Sequence, residues 1–350
     1  MLPLKLILPQ GLAAIVLAAG VLSPATPAPP GQPSHGPGGS AYIHDGIRIT
    51  RLGVGAEEVH VFEPADPTPP TAPVVVFGHG WGAVDPDIYG AWIAHIVRRG
   101  STVIYPRYQA DLRTPVRHFT SHALGAVRRG LEVLGSAGHV RPHESGLVFV
   151  GHSMGGLVAA NLAVRAAQGE LPPPLALMAV EPGKTWPEAS PIAFELDDLS
   201  LLPPAMLLVA VVGNDDDLVF EIDARRIYSG ASAVPRENKS YVRLLSDDHG
   251  APALVADHRA PTAPGVLIDG HLLPGWLRGD AVLELQFGRR GPMVVDALDY
   301  YGTWKLLDGL VDAVFHGVHR EYALGNTPEQ RFTGLWSDRV PVRELHVEEP

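Results

Sequence analysis

Gly151-His152-Ser153-Met154-Gly155-Gly156 lies between an apolar run at 147–150 and an alanine-rich stretch at 156–167. The first five residues form G-x-S-x-G. A serine on a very sharp strand-to-helix turn has a strained backbone. Bulky residues two before and two after it would collide with each other or with the next strand, and glycines remove those collisions. The hydroxyl is then exposed, and the following helix aims its N-terminal amides at the same place. The chemistry implied is nucleophilic attack by Ser153.

Attack on a carbonyl needs two amide donors that converge on the oxyanion. Met154, the residue after the nucleophile, supplies one. The other should come from 78–82, Gly-His-Gly-Trp-Gly, directly after the apolar run at 73–77. Its glycines let backbone approach substrate closely. Position selects the Trp81 amide, and the Trp81 ring is a candidate pocket wall. His79 reads as a residue that orders this loop, and His152 as one that packs or hydrogen-bonds locally.

A serine nucleophile also needs a base, and a carboxylate to fix the base's tautomer. Two later apolar runs end in polar loops: Gly213-Asn214-Asp215-Asp216-Asp217-Leu218-Val219, and Ser246-Asp247-Asp248-His249-Gly250. His249 is the expected base, with His258 its competitor. Asp216 is the expected acid, with Asp215 and Asp217 beside it and Glu181 a remoter choice. A calcium loop is the rival reading of the aspartate triplet, but its spacing matches no EF-hand.

The elements that must hold these residues follow from periodicity. Short apolar runs at 58–62, 73–77, 102–105, 147–150, 175–180, 206–212 and 241–245 read as strands. Helical faces are expected over 89–99, through Leu124, Val127, Leu131 and Leu134, over 156–167 and over 220–228. Another is expected along Tyr300, Trp304, Leu307, Val311 and Val314. This alternation predicts an α/β fold with a mostly parallel sheet and helices on both faces. The stretch 251–295 has turn residues and little periodicity. Two readings are open: it folds back on the body and walls the acyl pocket, with Trp276 a lining candidate, or it is an extra β-excursion packed away from the site.

Taken in order, the HGWG, GHSMGG, GNDDDLV and DDHG motifs resemble those of the α/β-hydrolase superfamily. They are most similar to its dienelactone-hydrolase-like branch, which includes cutinase-like and polyester-hydrolase-like enzymes. The resemblance covers roughly 58–250 and the closing helix. It implies a sheet of about eight strands, a Ser153–His249–Asp216 triad, an oxyanion hole from the Met154 and Trp81 amides, and neither cofactor nor metal. The activity implied is hydrolysis of small or polymeric carboxylic esters through an acyl-enzyme. Acyl transfer on the same triad is the alternative, and a non-catalytic binding protein on this scaffold is a more distant one. The chain departs from the branch in its lack of cysteine, its long 251–295 stretch and a tail over 321–350.

Composition narrows the rest. The net charge of -11 argues against nucleic acid or an anionic membrane as a main partner. The chain has no cysteine, which excludes thiol catalysis, cysteine zinc sites, disulfides and lipoprotein anchoring. One early lysine, Lys5, precedes an apolar run at 11–22, which suits a signal sequence cleaved after Ala25 and is short for a membrane span. Residues 26–40, rich in proline and glycine, read as an extended, disordered linker, and 41–350 as one catalytic domain. The expected location is secreted, periplasmic or cell-surface, with an uncleaved N-terminal anchor the rival.

Overall fold

Along each strand, alternate side chains leave the sheet on opposite faces. Val74 and Val76 join one buried apolar cluster, and Val75 and Phe77 the other. The computed structural model describes residues 26–183, 194–268, 271–274 and 293–348, and its layers follow from that split. One face of the sheet carries α1 (Gly90–Arg98) and the closing helix Lys305–His316, through Trp92, Ile93, Leu306 and Leu310. The other carries α2 (Phe119–Leu134), α3 (Met154–Ala167) and α4 (Ile222–Gly230), through Val127, Leu157, Val158 and Ile227.

The strands are β1 (Gly46–Leu52), β2 (Val59–Ala65), β3 (Thr71–Gly78), β4 (Thr102–Pro106), β5 (Arg141–His152), β6 (Pro174–Val180), β7 (Leu207–Gly213), β8 (Lys239–Leu244), β9 (Gly265–Ile268), β10 (His271–Pro274) and β11 (His346–Glu348). Nine of them form one sheet in the order β1-β2-β4-β3-β5-β6-β7-β8-β11. The six from β4 to β8 are parallel, and β1, β2 and β11 run against their neighbours. This is the α/β-hydrolase fold. The chain steps from β3 outward to β4, then returns to β5 on the other side of β3. Loops leaving β3 and β5 therefore part at a switch point, where open α/β sheets form their crevice.

All seven expected strands are present. β1, β11 and the β9–β10 hairpin are additions. In the sequence 26–40 reads as a disordered linker. The structure instead pins this stretch to the body at several points. The Pro27 carbonyl accepts from the Ala251 amide, Ala28 and Ser337 exchange two hydrogen bonds, and the Gly38 amide donates to Asp308 at 2.7 Å. Composition signals the lack of periodicity, but not the partners that its backbone groups find. The expected signal at 1–25 lies outside the described residues.

The closing helix is entered through a π-turn, Asp299–Trp304. Ahead of it, the Asp296 carboxylate accepts from the Leu298 amide at 2.8 Å. Burial raises the Asp296 carboxyl from 3.8 to about 6. The unfolded chain loses this proton near its ordinary value, and the folded chain keeps it to about pH 6. The resulting cost to stability grows between those values and is fully present above about pH 6. Asp296→Asn keeps the cap and removes the charge. It should stabilise the protein by roughly 1–2 kcal/mol at pH 8 and by little near pH 4. Urea unfolding at both pH values checks this, and an equal effect at the two would assign the gain to something other than charge.

Candidate active site

Ser153 stands between β5 and α3 with φ 56° and ψ -127°. A Cβ on Gly151 would overlap the Gly155 carbonyl, and one on Gly155 would overlap the Gly78 carbonyl of β3. The two glycines thus clear the two collisions that the motif predicts. The Ser153 amide donates to the Val180 carbonyl of β6 at 2.9 Å, which ties the strained residue to the next strand.

The imidazole that meets Ser153 belongs to His258. Its Nε2 is 2.9 Å from the Ser153 hydroxyl, and its Nδ1 is 2.8 Å from Asp216 Oδ2. Asp216 Oδ1 accepts from the Leu218 and Val219 amides at 2.9 and 3.1 Å, so the whole carboxylate is fixed. Because the carboxylate only accepts, Nδ1 carries the proton and Nε2 is free to accept from the serine. Serine, histidine and aspartate are all nearly buried.

The expectation for His249 is therefore corrected. His249 is about one-third exposed and its Nε2 pairs with Asp338 at 2.8 Å. Its turn is held by Asp247, which accepts from the His249 and Arg343 amides and from the Trp336 indole. Burial opposes charge on Asp247, but these three donors more than offset it and hold the carboxyl below its usual range. Residues 336–343 thus capture this turn. The chain doubles back through the Asp247–Leu254 bridge, and the Asp215 amide donates to the Ala256 carbonyl at 3.0 Å. His258 follows two residues later. One sequence signal does point this way: Asp247-Asp248-His249 has the form of an Asx-turn, whose carboxylate caps the amide two residues on.

Of the three aspartates, Asp216 faces the histidine. Asp215 accepts from Ser246 Oγ at 2.6 Å and from the Asn214 amide group. Glu181 is fully buried, with Oε2 3.6 Å from both His258 Nδ1 and His152 Nε2, beyond hydrogen-bond distance. Burial, with the Asp216 and Asp257 charges nearby, pushes its carboxyl well above the ordinary value. His152, Glu181 and His258 lie close enough to hold a metal ion. However, the two ring nitrogens that such an ion would need are already engaged, by the His258 carbonyl and by Asp216.

The loop after β3 closes over the serine. A Cβ on Gly80 would sit 3.5 Å from Ser153 Cβ. The Gly80, Gly82 and Ala83 amides donate to Tyr89 Oη, Gln109 Oε1 and the Gly80 carbonyl. The Trp81 amide between them has no acceptor among the described residues. Met154 opens α3, where an amide has no carbonyl one turn behind it. Trp81 is about one-third exposed, and its ring packs T-shaped with Phe119, with centroids 6.1 Å apart. His79 is buried, stacks on Tyr108 at 4.0 Å and has its two nitrogens against the Gly80 and Arg107 carbonyls. Burial lowers its pKa to about 4. A neutral ring donates to only one of those carbonyls, so His79 orders the loop.

Within the 251–295 stretch, the described parts 251–268 and 271–274 are tied to the body. β9 and β10 pair antiparallel, the Ala91 amide donates to the Ala263 carbonyl, and the Ala263 amide donates to the Ile88 carbonyl. Trp276 and the alternating run at 281–287 lie outside the described residues.

No protein-family model matches this chain, and no curated protein matches it. Solved structures do. A thermostable esterase from Pseudomonas putida ECU1011 is similar at 17% identity and a TM-score of 0.45, over 59% of this chain and 77% of that one. Carboxyl esterase 2 from the mycorrhizal fungus Tuber melanosporum is similar at 18% identity and a TM-score of 0.48, over 77% of this chain and 86% of that one.

Proposed function

We propose that the chain is a serine hydrolase of carboxylic esters. One observation carries the reading: the unbroken hydrogen-bonded line Ser153 Oγ–His258 Nε2, His258 Nδ1–Asp216. In this mechanism the Ser153 oxygen bonds to the ester carbonyl carbon while its proton passes to His258 Nε2. The carbonyl electron pair moves onto oxygen, where the Met154 and Trp81 amides receive it. Asp216 stabilises the imidazolium without taking its proton. The tetrahedral species collapses, His258 protonates the departing alcohol, and an acyl-serine remains. Water repeats the sequence with His258 as base, releasing the acid and restoring Ser153.

The HGWG, GHSMGG and GNDDDLV segments all support this reading. DDHG does not, since its histidine faces away, and the case for the dienelactone-hydrolase-like branch weakens with it. The proposed place of action is outside the cytoplasm, which the apolar 11–22 run and the small residues after it support.

The test is a panel of p-nitrophenyl esters of rising chain length, together with a fluorophosphonate probe and peptide mapping. Turnover of at least one ester and labelling at Ser153 alone are expected. Labelling elsewhere, or full turnover by Ser153→Ala, would refute the reading.

A further inference from the structure

Tyr89 and His152 belong to no part of the mechanism above, yet both are fully buried and both touch its moving parts. Four groups stand in a row. The Gly80 amide is 3.0 Å from Tyr89 Oη, Tyr89 Oη is 2.8 Å from His152 Nδ1, and His152 Nε2 is 2.9 Å from the His258 carbonyl oxygen. The two ends fix the direction of every bond. A carbonyl only accepts, so His152 Nε2 carries the proton and Nδ1 accepts. Tyr89 must therefore donate to Nδ1, and its oxygen is left to receive the Gly80 amide. Burial supports this assignment, since it holds His152 neutral and the Tyr89 phenol protonated.

The row spans two loops that the sheet sends out separately. One end is the loop after β3, next to the Trp81 amide. The other is the backbone of the base itself. Residues on either side of Tyr89 bind the same histidine loop, through Ile88 and Ala91 to Ala263. Gly80 fits tightly into this arrangement: a Cβ there would lie 3.1 Å from Tyr89 Oη and 3.6 Å from His152 Nδ1.

We infer that Tyr89 and His152 are positioning residues, a directional buried clamp that sets the distance between the oxyanion loop and His258. The inference rests on the ester-hydrolase reading. The clamp touches no substrate, so its loss should appear in kcat and leave KM nearly unchanged. Tyr89→Phe deletes a single oxygen and both of its bonds. It should lower kcat about 10- to 100-fold with KM within about twofold. His152→Phe should do at least as much. His152→Gln keeps a donor and an acceptor on a side chain of similar reach and should recover a large part of the loss. Because the row acts as one unit, Tyr89→Phe combined with His152→Phe should be no slower than His152→Phe alone.

Rates are to be expressed per serine titrated with fluorophosphonate, which removes any misfolded fraction. Should His152→Phe fail to fold, Tyr89→Phe and His152→Gln decide the matter. Parental kcat in Tyr89→Phe per titrated serine, or losses that multiply in the double variant, would overturn the clamp. The ester-hydrolase reading fails separately: in that case the parent protein does not take the probe at Ser153, or Ser153→Ala keeps full ester turnover, and the clamp falls with it.

Discussion

His258→Ala should lower kcat/KM on a p-nitrophenyl ester by roughly four to six orders of magnitude, while His249→Ala should stay within about twofold of the parent. The two histidines make similar hydrogen bonds on paper. Each meets an aspartate at 2.8 Å. They differ in what the other nitrogen faces and in exposure. His258 Nε2 meets the serine hydroxyl inside the protein. His249 meets its aspartate in a surface contact in which each partner is more than one-third exposed, and such contacts contribute little. The comparison is measured with both variants on the same ester, with thermal unfolding as a control. A lethal His249→Ala beside an active His258→Ala would mean that the described hydrogen bonds are not those of the working enzyme.

The contrast between these histidines also shows which features were legible in the sequence. The elbow was, because its constraint is local. Gly151, Ser153 and Gly155 lie within five residues, and the collisions they avoid involve one another and the adjoining strand. Asp216 was legible for a similar reason, since it follows the end of β7 and binds the amides two and three residues on. The base was not. Its position depends on which turn the C-terminal tail captures, and Trp336, Asp338 and Arg343 reach Asp247 and His249 across 89 to 96 residues. No pattern near 249 encodes that contact beyond the Asx-turn form. The ordered course of 26–40 was hidden in the same way, because its partners Asp308 and Ser337 lie some 270 and 309 residues away. β1 was within reach: Ile47 and Ile49 alternate with Arg48 and Thr50 in GIRITRL, an edge-strand pattern. β11 has only three residues, too few for any periodicity.

Ser153→Ala should remove ester turnover to the same depth as His258→Ala, and the double variant should be no worse than either alone. Serine and histidine act as one unit, so their losses do not multiply. A small residual rate above that in water should survive, because the Met154 and Trp81 amides, which receive the oxyanion in the proposed mechanism, remain in place. Stability should hardly change in Ser153→Ala, since alanine keeps the Cβ in the same strained backbone region. Ser153→Gly separates the two roles of this position. It is equally without a nucleophile, but glycine enters the region near φ 56° with little steric cost. Relief of strain at such a residue is worth about 1–3 kcal/mol, offset by about 0.5–1 kcal/mol of added freedom in the unfolded chain. Ser153→Gly should therefore unfold at a higher urea concentration than Ser153→Ala, with identical loss of activity. If alanine proves the more stable of the two, the backbone at Ser153 is not strained, and the elbow is held in place by its hydrogen bonds to Val180, Gly156 and Gly183 alone.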